Sequence, residues 1–460
     1  MRYTWFNLKL LILISIVTLL TIGCGAKNIT TSQSSPTPLP SPSPSIDMPS
    51  TGPDPSLNTI PTDKPSNNSI PSTTSPSITP KVPNPSATPP AKPTTTPNSI
   101  PSPFPSTSPI PPTNLRALNF LPGGIGWTAD VQEKGTQIWR TTDNGAHWES
   151  SFISDAFVTS LSFADPSQGY AVANRDCSTI KGQVMCQQFE ILHTADGGKS
   201  WTVQFTNTQA PTDPIDFNAN KDTITFLNTK VGYAIANHNL YATIDGSRWK
   251  KVQFGNNPSF IPDKLNFINT DTGWVLGKQG SRCKATGPIE VNCQVAIEFT
   301  TDGGKSWSHQ FNEAAPTDAL LNNIGISFIS KNEGWVLIQN LDRMESMLYR
   351  TTDGGTTWTH INTMRGARPT TAGLQFLTSK KGSIPLSIGA GPIEGGIKLT
   401  SDGGVNWTQI TPEQSPSFEA IDFVSELDGW AIGTTYTSDG SHKVILHSID
   451  GGLTWKIMFT

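Results

Sequence analysis

From position 114 onward the chain alternates apolar and polar residues over short runs, and the same set of runs recurs seven times. Leu118-Asn119-Phe120 and Ile326-Ser327-Phe328 are two instances of the first run. Each first run ends at a Phe that is followed six residues later by a Gly. The pairs are Phe120/Gly126, Phe163/Gly169, Phe226/Gly232, Phe267/Gly273, Phe328/Gly334, Phe376/Gly382 and Phe423/Gly429. The next residue is Trp or Tyr in six repeats (Trp127, Tyr170, Tyr233, Trp274, Trp335, Trp430) and Ser383 in the sixth. A second apolar run follows, as in Trp335-Val336-Leu337-Ile338, and then a third, as in Met347-Leu348-Tyr349-Arg350. Period-two patterning of this kind predicts β-strands.

The third run of each repeat leads into a turn of near-constant sequence. It reads TTDNGAHW at Thr141–Trp148, TADGGKSW at Thr194–Trp201, TTDGGKSW at Thr300–Trp307, TTDGGTTW at Thr351–Trp358, TSDGGVNW at Thr400–Trp407 and SIDGGLTW at Ser448–Trp455. A shortened copy, TIDGSRW, spans Thr243–Trp249. Its aspartates are Asp143, Asp196, Asp245, Asp302, Asp353, Asp402 and Asp450, spaced 48 to 57 residues apart. A fourth strand starts after the Trp. A repeat of this length built from short strands is the pattern of a propeller. The expected fold is all-β: a seven-bladed β-propeller of four-stranded antiparallel blades over residues 114–460.

The turn chemistry has a structural reading. A tight turn leaves backbone N–H groups without ladder partners, and a short carboxylate accepts them. The glycines tolerate positive φ, and the closing Trp is suited to filling the gap between blades. The seven aspartates are therefore expected to be structural rather than catalytic or metal-binding. The third turn, one residue short and with Ser247 in place of Gly, is expected to be tighter or distorted.

The first 113 residues differ in kind. Arg2 and Lys9 precede a thirteen-residue apolar stretch, Leu10 to Ile22, which ends at Gly23-Cys24. This is too short for a comfortable membrane span and fits a signal-peptide core. The junction looks like a bacterial lipobox, which implies removal of residues 1–23, a lipid on Cys24 and a bilayer as partner through that anchor. Residues 24–113 are dominated by Pro, Ser and Thr, cannot bury a core, and are expected to form a disordered tether. The expected location is the bacterial cell membrane, facing out of the cytoplasm.

The chain has 460 residues, a net charge of −4 and 15% charged residues. It lacks the basic face that nucleic-acid binding requires. Besides Cys24 there are four cysteines in two close pairs, Cys177/Cys186 and Cys283/Cys293, each between the second and third strands of one repeat. Cross-hairpin disulfides are expected, since an exported protein can keep them oxidised. The spacings and the lack of paired histidines oppose zinc. No G-x-S-x-G, H-E-x-x-H or phosphate-binding Gly loop occurs. No catalytic residue, metal or cofactor is expected, and the chain is read as a monomer.

Loops joining strands two and three emerge on the same side as the connections between blades, opposite the Asp turns. Binding residues commonly occupy such loops on a rigid scaffold. The candidate face holds the Cys hairpins, Asp213, Asp318, the Arg365–Pro369 segment and Ser415–Phe418. Arg365 and Arg368 suit an anionic partner group.

The T-x-D-G-G-x-x-W turns resemble the Asp-box, or bacterial neuraminidase repeat. Seven of them, each with an upstream F-x5-G-[WY], look most like the photosystem II assembly and stability factor propellers of cyanobacteria and plastids. That resemblance implies a lipoprotein with a non-catalytic assembly role and an arginine-bearing patch; here the arginines cluster only at Arg365 and Arg368. Sialidases share the turn but have six blades and an Arg-Ile-Pro motif, which is absent here. Xyloglucanases place a cleft between two such propellers, and this chain has room for one. The reading is a surface scaffold that binds a protein or glycan; a glycan-processing hydrolase is the alternative, and would need two rim carboxylates close together.

Overall fold

The computed structural model describes residues 114–460, apart from 181–182, 208–214, 217–221, 281–282, 284–292, 315–319, 371–372, 389–394, 416 and 439. The expected signal segment, the tether, Cys24, Asp213 and Asp318 lie outside the described residues. Among the described residues there is no helix. Seven sheets, each of four consecutive antiparallel strands, occupy 115–154, 157–206, 223–251, 261–314, 321–365, 375–410 and 417–459. A single two-residue strand is added to the second blade, where Ile215–Asp216 pairs with the third strand opposite Met185 and Cys186. The fold is the seven-bladed propeller that the repeats predict.

The F-x5-G signature is explained by packing. Phe and Gly face each other across the first two strands, as in Phe120↔Gly126. The Phe ring lies directly on the Gly: a Cβ at Gly126 would sit 2.1 Å from the Phe120 ring, and at Gly334 2.4 Å from the Phe328 ring. The ring's other face meets the aromatic residue of the preceding blade. Trp127 stacks on Phe163, Tyr170 on Phe226, Tyr233 on Phe267, Trp274 on Phe328 and Trp335 on Phe376, with centroids 3.6, 3.4, 3.7, 3.6 and 3.8 Å apart. Face-to-face rings are not what ring quadrupoles favour, so burial of area contributes most of the stabilisation. The Trp that closes each Asp turn then meets the Phe of its own blade edge-on in all seven cases. Trp148 and Trp307 also reach the preceding blade, contacting Phe459 and Phe254.

Backbone groups at the inner edge are satisfied by the neighbouring blade. The first strand of each blade has no strand neighbour toward the axis, and a free edge leaves N–H groups unpaired. In six of the seven blades the residue before the Phe supplies an acceptor to the next blade. Asn119 accepts the Phe163 N–H at 2.8 Å, Ser162 that of Phe226, Asn266 that of Phe328, Ser327 that of Phe376 and Gln375 that of Phe423.

Among the described residues no strand is exchanged between the first and last blades, and the ring closes through the same side-chain contacts. Phe120 of the first blade stacks on Trp430 of the last, with centroids 3.8 Å apart. Its N–H donates to Asp422 Oδ2 at 2.8 Å. Asp422 stands where the other blades have a neutral residue and is half-buried. Burial pushes its carboxyl up to about 6, and the Asp428 charge adds to this, against the opposing hydrogen bonds from Phe120 and Asn119.

Two predictions follow from these seams. Trp335→Ala removes a fully buried ring between the fifth and sixth blades and should cost about 3–5 kcal/mol in chemical denaturation; a loss under about 1 kcal/mol would show that the stack is dispensable. For Asp422, a carboxyl raised in the folded state favours folding while protonated. Its contribution is complete below about pH 4 and is lost as pH rises through about 6. Asp422→Asn keeps an acceptor for Phe120 and removes the titration. It should be at least as stable as the wild type at about pH 7.5, and Tm should fall less between acid and neutral pH. A variant of lower stability at neutral pH, with an unchanged pH slope, contradicts this.

Candidate functional site

The propeller has two unlike faces. On one, the Asp turns and the turns between first and second strands are tied together: Gly303 N–H donates to Asp271 O at 2.8 Å and Gly354 N–H to Asn332 O at 2.8 Å. The other carries the connections between blades and the hairpins between second and third strands.

Each Asp turn is internally saturated. In the fifth blade Thr351 Oγ1 donates to Asp353 Oδ1 at 2.8 Å and accepts the Gly355 N–H at 2.9 Å. Asp353 also accepts the Thr357 N–H at 2.8 Å and its hydroxyl at 2.6 Å. Gly354 and Gly355 sit at φ 76° and 93°, the left-handed region that glycine tolerates. Hydrogen bonds from the residue four positions on hold Asp143, Asp196, Asp302, Asp353 and Asp402 down to about 2. Asp245 is also depressed, chiefly by the Arg248 and Ser247 N–H groups. Asp450 is lowered too, although burial opposes it, by hydrogen bonds from Thr454. The shortened third turn is tighter: Gly246, one residue earlier than the usual glycine, bonds Thr243 Oγ1 at 3.0 Å. Among the described residues, no three His, Cys, Asp or Glu side chains come together as a metal site.

The opposite face opens into the central channel. The first strands of all seven blades surround a cavity of about 560 Å³. Its charged lining is Arg116, Asp222, Lys264 and Glu419, drawn from four blades. Lys443 Nζ pairs with Glu419 Oε1 beside the channel, and Thr434 Oγ1 donates to the same oxygen at 2.7 Å. Burial, then the charge of Arg116, lowers Lys443 to about 8. The Glu419 contact opposes that shift, so the ammonium stays charged at neutral pH. Burial likewise lowers Arg116. Asp222 accepts the Asn237 N–H at 3.2 Å. The Thr370 hydroxyl, also in the lining, has no hydrogen-bond partner among the described residues. The channel thus offers both signs of charge and a free hydroxyl.

The residues singled out from the sequence fall around this face unevenly. Arg365 ends the fourth strand of the fifth blade and is exposed, with Nε 3.0 Å from Glu345 Oε1. Arg368 is exposed on the connection to the sixth blade, where its carbonyl accepts the Ser387 N–H at 3.0 Å. Cys177–Cys186 and Cys283–Cys293 are disulfides within their hairpins. Ser415–Phe418 corrects the sequence reading. Ser415, Ser417 and Phe418 are buried rather than rim loops. The Ser415 hydroxyl reaches Thr434 O at 3.3 Å and occupies the space that a side chain at Gly433 would take. The channel charges were missed, although Arg116 interrupts an otherwise apolar Leu115–Leu118 run.

No family model and no curated protein matches the chain. Solved structures do. YCF48 bound to a D1 peptide matches with a TM-score of 0.50 and 18% identity, over 74% of this chain and 94% of that one. YCF48 from Cyanidioschyzon merolae matches with a TM-score of 0.47 and 14% identity, over 75% and 97%. The GH74 xyloglucanase from Xanthomonas campestris gives 0.46 and 12%, over 75% of this chain and 60% of that one. The likeness is one of fold.

Proposed function

We propose that the propeller is a non-catalytic binding or assembly scaffold that takes a protein or glycan on the face opposite the Asp turns. The observation that carries this reading is the channel mouth. It combines both signs of charge with a polar cavity, and it opens on the face that bears the irregular hairpins. The regular Asp turns have their carboxylates fully engaged, so they serve the scaffold. Glu419 and Asp222, the channel's acidic lining, are engaged as well, which favours binding over glycoside hydrolysis. The YCF48 structure holds a peptide, which supports a polypeptide as one class of occupant for this fold. In this reading a lipid on Cys24 holds the chain outside the cytoplasm. The Gly23-Cys24 junction after an apolar stretch supports it, as do two disulfides that an oxidising compartment preserves.

The two faces are separable by substitution. Arg365→Ala with Arg368→Ala should leave Tm almost unchanged, because exposed ion pairs contribute little, and should weaken capture of an anionic partner from native membranes. Asp353→Ala should lower Tm through the lost turn without a selective loss of capture. The reverse pattern, or turnover of xyloglucan or a sialoside by the purified protein, would falsify the assignment.

Anchoring has its own test. Cys24→Ala should release the protein from membranes or leave an uncut precursor. A variant that stays with membranes at the normal processed mass excludes the lipid.

A further inference from the structure

One seam of the ring is built differently. Six seams hold a Trp or Tyr ring against the Phe of the next blade; between the sixth and seventh blades the position is Ser383, buried and small. Phe423 still lies on its own Gly429, where a Cβ would come within 2.4 Å of the ring. Its other face meets no aromatic partner from the sixth blade. Leu399, paired with Ser383 across the strands, leans toward Gly452 and takes up part of the room. What remains is a cavity of about 340 Å³ opening on the Asp-turn face, lined by Phe423, Leu377, Leu399, Trp407 and Leu453. This lies in the range of small-ligand pockets, which are mostly apolar with a few placed polar groups.

The other seams say what would fit. Trp127 Nε1 donates to Gly197 O at 2.8 Å, Trp335 Nε1 to Gly403 O at 2.9 Å, Trp274 Nε1 to Gly354 O at 3.4 Å and Tyr233 Oη to Gly303 O at 3.1 Å. In these four of the six seams the acceptor is the first glycine of the next blade's Asp turn, shared at Trp274 with Gln310 Oε1 at 3.2 Å; Tyr170 Oη reaches Thr229 O instead, and Trp430 Nε1 has no partner among the described residues. The counterpart of that glycine here is Gly451, which lines the cavity and receives no side-chain donor among the described residues. The cavity therefore presents a Phe face and a carbonyl acceptor arranged for an aromatic ring with an N–H or O–H on its edge. The rim is mixed: the Lys381–Glu426 ion pair, 2.8 Å, and Asp450 stand in it beside Leu453, which is 58% exposed, and the chain neighbours of Glu426, Asp450 and Asn406 in the lining are Leu427, Ile449 and Val405, 56%, 75% and 51% exposed. Exposed aliphatic side chains gathered at one place mark a contact surface for a macromolecule rather than for a free metabolite.

We propose that this seam is a second binding site, which takes a tryptophan or tyrosine side chain from an apolar segment of a partner polypeptide. The incoming ring completes the seam as Trp335 does one blade earlier. It stacks on Phe423 and donates to the Gly451 carbonyl, while aliphatic neighbours cover the rim. The site lies on the face opposite the channel mouth and does not rest on the function proposed for that face.

Calorimetry with the full chain tests the site, using a short peptide with a central Trp between two Leu residues. Binding is expected, and replacing Trp by Phe should weaken it about tenfold, since the buried carbonyl loses its donor. Ser383→Trp should abolish binding and raise Tm, because it supplies the ring found in other blades. Room for it has a precedent in the fourth blade, where Trp274 and Phe299 sit at the same paired positions. Leu453→Lys should weaken binding about fivefold with Tm unchanged; lysine already occupies this turn position at Lys199 and Lys305. Unaltered affinity in Ser383→Trp overturns the site. If that variant does not fold, unaltered affinity in Leu453→Lys overturns it instead. Binding of free indole with no gain from the peptide frame overturns the polypeptide assignment. Arg365→Ala with Arg368→Ala should leave this peptide's affinity unchanged, which separates this site from the opposite face.

Discussion

The ring is held together by a Phe clamped between a glycine of its own blade and an aromatic ring of the blade before. The clamp explains two sequence constraints at once. The glycine is required because any Cβ would enter the Phe ring: at Gly169 it would come within 2.3 Å. The aromatic after it is required because it must reach across the seam and cover the exposed face of the next Phe. Both demands fall on adjacent residues at the start of the second strand, so one short segment serves two neighbouring blades. Failure at one seam is therefore felt on both sides, and this couples the blades into one cooperative body.

Closure follows from the same device. Propellers face the problem of joining a first blade to a last one, and among the described residues no strand crosses that gap. Phe120 meets Trp430 as the Phe of every blade but the seventh meets its partner. The difference is electrostatic: five seams use a neutral acceptor for the Phe N–H, and the closing seam uses Asp422. A carboxylate strengthens a hydrogen bond when charged, but a half-buried one also resists ionisation. The closing contact is consequently the one seam acceptor with its own dependence on pH.

Much of the fold was legible in the sequence, because its signals are local and repeated. Phe, Gly and aromatic lie within seven residues of one another, and the Asp turn within eight. The channel was not legible for the opposite reason. Arg116, Asp222, Lys264 and Glu419 each sit in a different repeat, and only the closed ring brings them together. Ser415–Phe418 misled because Ser-Pro-Ser reads as a loop. In the structure Ser415 fills the space over Gly433, and Phe418 enters the core that contains Trp455. Ser383 was visible as an exception in the pattern, but its consequence was not. A missing side chain says nothing about volume until the neighbours that decline to fill it are known, and here only Leu399 moves in.

The two faces are held to different standards by the same architecture. On the Asp-turn side, six turns carry the same short hydrogen-bonded circuit and the third a shortened one, and the tie to the neighbouring turn leaves little freedom. A vacancy there is surrounded by rigid walls, as between the sixth and seventh blades. On the opposite side, the hairpins vary in length, and the blade connections need only span the gap. Charges can be placed there at small cost to the seams below. A cavity walled by rigid neighbours selects by shape and by a fixed acceptor. A mouth lined with charges of both signs, in the function proposed above, selects by electrostatics. If both proposed sites are occupied, one rigid ring would hold two unlike groups at a fixed distance.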